Sequence, residues 1–250
     1  MTPDAEIAGR FVFYNNSAYD GDDAIATDKE ALDPGGVATF ANYTSYTRGI
    51  NGAIVDITEV PDGFVPTASD FAFYVGNDQT PGNWDAAPVP LEVTLSKDAG
   101  VDDSDRVTIV WDDYAITNEW LQVTVRAVSF GLADDDVFYF GNAVGESGDS
   151  ADDARVTVID LLLARNNGRD SFSRAAVDFA YDYNRDTLVD VIDVLAARNN
   201  RTSFLTELKL IDLSSAEQRE PAILLGELAW LQEQEPFGTE EQSPSRDRPA

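Results

Sequence analysis

From Arg10 to about Asn142 the apolar residues come in short alternating runs broken by Gly, Pro, Asn and Asp. Val107, Ile109 and Trp111 alternate with Thr108 and Val110, and Leu121, Val123 and Val125 alternate with Gln122 and Thr124. A period of two puts one set of side chains on one face of a strand. The pattern predicts strands at Phe11–Tyr14, Val37–Tyr43, Ile50–Val60, Asp70–Val75, Leu91–Leu95, Arg106–Trp111, Trp120–Val128 and Asp136–Phe140. Turn-forming stretches lie between them, among them Asp33-Pro34-Gly35-Gly36, Pro61-Asp62-Gly63 and Pro81-Gly82-Asn83. Residues 1–142 are therefore expected to form an antiparallel β-sandwich, Ig-like or jelly-roll in type. Residues 141–148 read as a short flexible connector that leaves the flanking units in contact.

Beyond Thr157 the period changes. Ile159, Leu162 and Leu163, and later Ile192, Leu195 and Ala196, recur at the spacing of one helix face. The expected fold class is multidomain: an all-β antiparallel sandwich followed by a small all-α unit over 143–213. A further helix is expected over 214–234, from Ile223, Leu224, Leu225, Leu228, Trp230 and Leu231, with Ser215 as N-cap and Gln218 three residues on. The Pro-, Glu- and Ser-rich residues 235–250 are expected to be disordered.

The helical stretch contains a repeat. Val158-Ile159-Asp160-Leu161-Leu162-Leu163-Ala164-Arg165-Asn166-Asn167 matches Val191-Ile192-Asp193-Val194-Leu195-Ala196-Ala197-Arg198-Asn199-Asn200 at an offset of 33 residues. Ahead of the second copy, residues 182–193 place oxygen-bearing side chains at loop positions 1, 3, 5, 9 and 12: Asp182, Asn184, Asp186, Asp190 and Asp193. Leu188, at position 7, can offer a carbonyl. This is the ladder of an EF-hand-type calcium loop, where a hard cation gathers about six to eight oxygens. Thr187 replaces the usual glycine at position 6, and position 12 is Asp rather than Glu. The apolar Val189 at position 8 is expected to pair with the partner loop. The upstream loop runs Asp149, Ala151, Asp153, Arg155 (carbonyl), Thr157 and Asp160. Ala151 lacks a ligand and Thr157 has only a hydroxyl, so two calcium ions are expected with the second loop the stronger.

Paired loops, each followed by a helix with a repeated basic-polar end, resemble the type I dockerin domain found at the C-termini of large secreted bacterial proteins. The resemblance covers about Gly145 to Asp212. It implies calcium on the positions just named and a cohesin-like protein partner. The partner would dock at loop positions 10 and 11 (Val158, Ile159, Val191, Ile192) and on the helices that follow. The apolar pairs there differ from the hydroxyl residue of many cellulosomal dockerins, which argues against a standard cohesin. Arg165 and Arg198, at equivalent helical positions, are expected either to anchor a partner or to cap the helix C-termini.

Composition narrows the alternatives. The net charge is −29, from 46 acidic and 17 basic residues, which disfavours nucleic acid and anionic membranes. With no Cys and no His, disulfides, thiol chemistry and Ser-His-Asp catalysis are excluded. No apolar run approaches the roughly 18 residues of a membrane span. The N-terminus shows no secretory signal, and the expectation is an extracellular or cell-surface piece of a longer protein, because weak calcium sites fill only at extracellular concentrations. Trp84, Trp111 and Trp120 with Tyr43, Tyr46 and Tyr114 could form a platform for polysaccharide, although core burial is the commoner fate of such residues. Asp20-Gly21-Asp22-Asp23, Asp102-Asp103-Ser104-Asp105 and Asp134-Asp135-Asp136 read as solvated turns or structural calcium loops. No pair of glutamates is marked as catalytic, so the chain is expected to be a non-enzymatic adaptor, or the accessory end of a polysaccharide-degrading system, or a self-packed structural module.

Overall fold

The computed structural model describes residues 5–214. The helix expected over 214–234 and the tail expected over 235–250 lie outside the described residues. In chain order the strands are β1 (Ile7–Val12), β2 (Tyr43–Thr44), β3 (Gly52–Ile57), β4 (Phe71–Gly76), β5 (Asp85–Ala86), β6 (Glu92–Ser96), β7 (Asp105–Val110) and β8 (Trp120–Val125). A single helical turn, α1 (Ala127–Phe130), leads to β9 (Asp136–Asn142), and the helices α2 (Val158–Asn166) and α3 (Val191–Asn199) complete the order.

The strands make two sheets, one in the order β1-β3-β7-β6 and the other in the order β2-β9-β8-β4-β5. Both sheets feed one core: Val55, Ile57, Val107 and Ile109 from the first meet Phe71, Leu121, Val123, Phe138 and Phe140 from the second. Each of these buried side chains contributes about 1.5–3 kcal/mol relative to exposure. The β-sandwich expected from the alternation is thus present, with one correction to its all-antiparallel form. β2 runs parallel to β9 over two residues. The physical reason lies just upstream, where a strand was expected over Val37–Tyr43. The Thr39 hydroxyl accepts from the Ala41 amide, the Asn42 carboxamide oxygen accepts from the Thr39 amide, and Phe40–Asn42 turns into a short 3-10 segment. Only Tyr43 and Thr44 remain to pair.

A second cluster covers the outer face of the five-stranded sheet. Tyr43, Trp84, Trp120 and Tyr139 pack against Leu208, Ile211 and Leu213. The segment that carries those three apolar residues is tied down by polar contacts. The Trp120 indole donates to the Lys209 carbonyl at 2.7 Å, and the Asn77 side chain bonds both the Glu207 carbonyl and the Lys209 amide. The expected aromatic platform is therefore corrected. Trp84, Trp111, Trp120, Tyr43 and Tyr46 are buried, and of the six only Tyr114 is exposed.

The connector expectation is also corrected. Asn142 to Ser147 are all buried, and Gly145 holds φ +81° where a Cβ would lie 2.9 Å from the Cα of Ala197 on α3. The chain enters the first loop through packed structure rather than a flexible link. The acidic turns have local duties of their own. Asp22 and Asp56 pair with Arg106, Asp105 with Lys97, and Asp136 with Arg10, while Asp135 accepts from the Ala127 amide that opens α1.

Candidate metal centre

Both long helices start for the same reason. Thr157 and Asp190 are N-caps whose side chains accept from the amides of Ile159 and Ile192, at 3.0 and 2.7 Å. Asp160 and Asp193, three residues on, reach back to the cap amides at 2.7 and 3.0 Å. These are reciprocal capping boxes, which satisfy two amides that a helix start leaves open. The ninth and twelfth positions of each loop therefore have a structural duty independent of any ion.

The two halves embrace crosswise. Val189 pairs with Arg169, beyond α2, while Val156 pairs with Thr202, beyond α3. Arg169 and Thr202 are themselves one repeat length apart. The eighth position therefore pairs with the segment after the other repeat's helix and not with the partner loop, which corrects that expectation. Val156, Val189, Ala164, Ala197, Ala175 and Tyr183 form the small core between the repeats.

In the first loop, Asp149 and Asp160 come together with a residue that the repeat did not flag, Glu146. Ligand oxygens of Glu146, Asp149 and Asp160 all lie within 4.8 Å of one another, the one such group of three among the described residues. Glu146 is buried; its carboxylate accepts from the Tyr43 hydroxyl at 2.7 Å and from the Gly148 amide at 2.8 Å. Burial, reinforced by the charges of Asp160 and Asp149, pushes its carboxyl up to about 7 against those two hydrogen bonds. Asp149 is raised by burial and by Asp160 and Asp153. Asp160 accepts from the Ser147 hydroxyl and amide, at 2.7 and 3.0 Å. Asp153 turns aside to the Arg155 guanidinium at 2.5 Å, which lowers its carboxyl, and Arg155 also approaches Glu207 at 3.4 Å.

In the second loop, Asp182 is buried and accepts from the amides of Asp186 and Thr187, at 3.2 and 2.9 Å. Burial, with Asp193 adding to it and Arg185 opposing, pushes its carboxyl up to about 7. Asn184 donates to Asp186 at 2.8 Å, and Asp186 accepts from the Leu188 amide at 2.9 Å. Asp193 is buried and raised for that reason, although the amides of Asp190 and Tyr183 hold it partly in check. Thr187 adopts φ +75°, the left-handed backbone for which an EF-hand loop uses glycine. Ala154, the equivalent residue in the first loop, is not among the positive-φ residues.

Arg185, at the fourth position of the second loop, is the other residue that sequence reasoning missed. It is buried, and its guanidinium reaches the carbonyls of Phe179 (2.7 Å) and Asp182, the Tyr14 hydroxyl at 3.1 Å and Ser45 Oγ at 3.4 Å. It locks the loop onto the sandwich.

Val158, Ile159, Val191 and Ile192 all stand at the surface, with 50% of Val158 and 63% of Val191 exposed. Arg165 and Arg198 are exposed as well. The helix C-termini are closed instead by Asn167, donating to the Leu163 carbonyl at 2.8 Å, and Asn200, donating to the Ala196 carbonyl at 2.9 Å. That removes the capping role from the two arginines. No helix among the described residues is long and apolar enough to cross a membrane. Comparison with family models, characterised proteins and solved structures returns no match to this chain.

Proposed function

We propose that residues 143–213 act as a calcium-dependent, dockerin-like docking module, non-catalytic and fixed to the sandwich, in an extracellular or cell-surface protein. What carries the reading is the duplication: two loop–helix units with the same capping box, the same buried Asp at position 12 and the same exposed Val-Ile pair. The residues fit a hard cation. Buried carboxyls at Asp182, Asp193 and Glu146 are held above their ordinary range, so a bound cation would relieve the cost of burying their charges. Calcium would supply that neutralisation.

Glu146, Asp149 and Asp160 would hold one ion; Asp182, Asn184, Asp186 and Asp193 would hold the other. Glu146 supplies a carboxylate that Ala151 lacks, but Asp153 is drawn off to Arg155 and Thr157 offers only a hydroxyl, so the second site is still expected to be the stronger. Calorimetric titration tests this with the full chain. Two calcium ions are expected, with Glu146→Gln plus Asp149→Asn removing one and Asp182→Asn plus Asp186→Asn the other. Absence of calcium binding in the unaltered chain would sink the reading.

The partner face comprises Val158, Ile159 and Arg165 on α2, and Val191, Ile192 and Arg198 on α3. Near-identity of the two faces favours a single partner able to dock in either orientation. Because both arginines are exposed, a carboxylate-bearing β-sandwich surface of cohesin type suits them. Capture on a panel of immobilised cohesin domains, with calcium and with chelator, tests this. Arg165→Glu and Arg198→Glu alone should leave capture nearly intact, and together should abolish it.

The packing of the helix pair on its own sandwich favours a second, compatible reading in which the unit also braces the protein. Arg185 and the segment that carries Leu208, Ile211 and Leu213 make that contact, and it leaves the Val-Ile faces free.

A further inference from the structure

Where the second loop and the end of α3 meet the sandwich, they enclose an open groove of about 920 Å³. That volume falls in the range of small-molecule sites. In a chain with 46 acidic residues, its lining includes one carboxylate, Asp186, and two guanidinium groups. Arg48 is paired with Asp113 and Arg185 is buried in its own contacts, so a ligand entering the groove meets mainly uncharged groups.

Those groups are of one chemical kind. The Thr47 and Thr117 hydroxyls and the Asn199 carboxamide make no hydrogen bond among the described residues, while Asn118 commits only its oxygen, to the Val144 amide at 2.9 Å. Hydroxyls and carboxamides both donate and accept, as a ligand hydroxyl does; a carboxylate can only accept. Opposite this polar rim, Ile192 and Leu195 supply an apolar wall. At the mouth stands Tyr114, 63% exposed, which makes it the exposed member of the six aromatic residues considered for glycan stacking. Its backbone holds φ +68°, and its amide is pinned to the Arg48 carbonyl at 2.8 Å. Asn16, Asn118 and Arg185 also line the groove with left-handed φ, so four of the nine non-glycine residues in that conformation among the described residues gather here. Left-handed backbone at residues such as Tyr114 and Arg185 concentrates at ligand sites.

We propose that this groove binds a neutral, hydroxyl-rich ligand of the oligosaccharide class, with a sugar ring lying on Tyr114 and its hydroxyls bonded by Thr47, Thr117, Asn118 and Asn199. The groove borders both proposed sites, sharing Ile192 with the docking face and Asn184 and Asp186 with the second loop, and its test alters none of those three residues. Cellohexaose, xylohexaose, mannohexaose, maltohexaose and laminarihexaose are titrated in turn into the calcium-loaded full chain and followed by calorimetry. At least one is expected to bind with a Kd of about 1 mM or tighter. Tyr114→Ala should weaken that binding about tenfold while Tyr114→Phe leaves it within about twofold, since the ring and not the hydroxyl makes the stack. Thr117→Ala combined with Asn199→Ala should weaken it without moving the melting temperature, which separates lost contacts from lost fold. Failure of all five sugars to bind overturns the proposal. So does binding that survives both Tyr114→Ala and the Thr117–Asn199 double change. Selective binding of an acidic oligogalacturonate instead would overturn the neutral assignment.

Discussion

Arg185 sits in an acidic loop, where a charged side chain ordinarily faces water, yet it is buried among Tyr14, Ser45 and the backbone of its own loop. The cost of burying a guanidinium is offset only while each of those acceptors, and the nearby Asp182 charge, stays in place. Arg185→Met should therefore destabilise the protein by about 3 kcal/mol in urea denaturation, and Arg185→Lys should fail to restore it, because a point charge cannot span a hydroxyl and a carbonyl at once. Thr187 makes the complementary case. A β-branched residue at φ +75° is strained, whereas its counterpart Ala154 is buried without positive φ. Thr187→Gly should raise stability by about 0.5 kcal/mol and Ala154→Gly should lower it by about 1 kcal/mol, a difference in sign that urea midpoints would resolve. The buried acids set a pH dependence. In chelator, Glu146 and Asp182 have folded-state values near 7, above their unfolded values, so both favour the folded state while protonated. Their contribution is full below the unfolded carboxyl range and is lost as pH rises through about 7. The calcium-free protein should thus melt at a higher temperature at pH 5 than at pH 8, and saturating calcium should reverse that order. Equal melting at both pH values in chelator would show that the buried acids have no such effect.

At the scale of elements, the alternation of Val107 with Thr108 and of Leu121 with Gln122 was enough to place β7 and β8, because one face of each strand meets the common core. The two helices were legible from their repeat and apolar spacing, whereas the capping boxes that start them were not, because Thr157, Asp160, Asp190 and Asp193 read only as ion ligands. Sequence periodicity failed where a local polar contact outweighed it. Thr39 and Asn42 bend the chain at Phe40, and no count of apolar residues registers that. Two-residue strands such as Asp85–Ala86 are too short to carry a period at all. Glu146 escaped for a different reason: it lies outside the repeat and joins Asp149 and Asp160 only through the fold. Its burial beneath Tyr43 is a tertiary fact, not a pattern. The repeated Asn-Asn pair, legible as a helix end, proved to supply the C-terminal closure through Asn167 and Asn200. Asn167→Ala and Asn200→Ala should each cost about 1 kcal/mol by urea denaturation, whereas Arg165→Ala and Arg198→Ala should each stay within about 0.5 kcal/mol.

At the scale of the molecule, the sequence suggested two domains meeting at residue 142, whereas the packing ties the sandwich and the helix pair together at three places. Glu146 leaves β9 buried and is held by Tyr43 of β2. Arg185 of the second loop is held by Tyr14 and Ser45 of the sandwich. Leu208, Ile211 and Leu213 cover Trp120 and Tyr139 on the outer face of the five-stranded sheet. A sandwich cut at Asn142 would leave that aromatic face bare, which is the kind of exposed apolar patch that drives association. The helix pair alone would keep a core of only a few small side chains around Val156, Val189 and Tyr183, too little to fold without help. The expectation is therefore one cooperative unit. Scanning calorimetry of the full chain should give a single transition over the described body, with its calorimetric and van't Hoff enthalpies equal. Calcium should move that whole transition upward, since a ligand that binds only the folded state stabilises everything that unfolds with it. A second transition that alone responds to calcium would show that the loops open independently of the sandwich. In that case Arg185 and Glu146 would be surface latches between two domains, not parts of a common core.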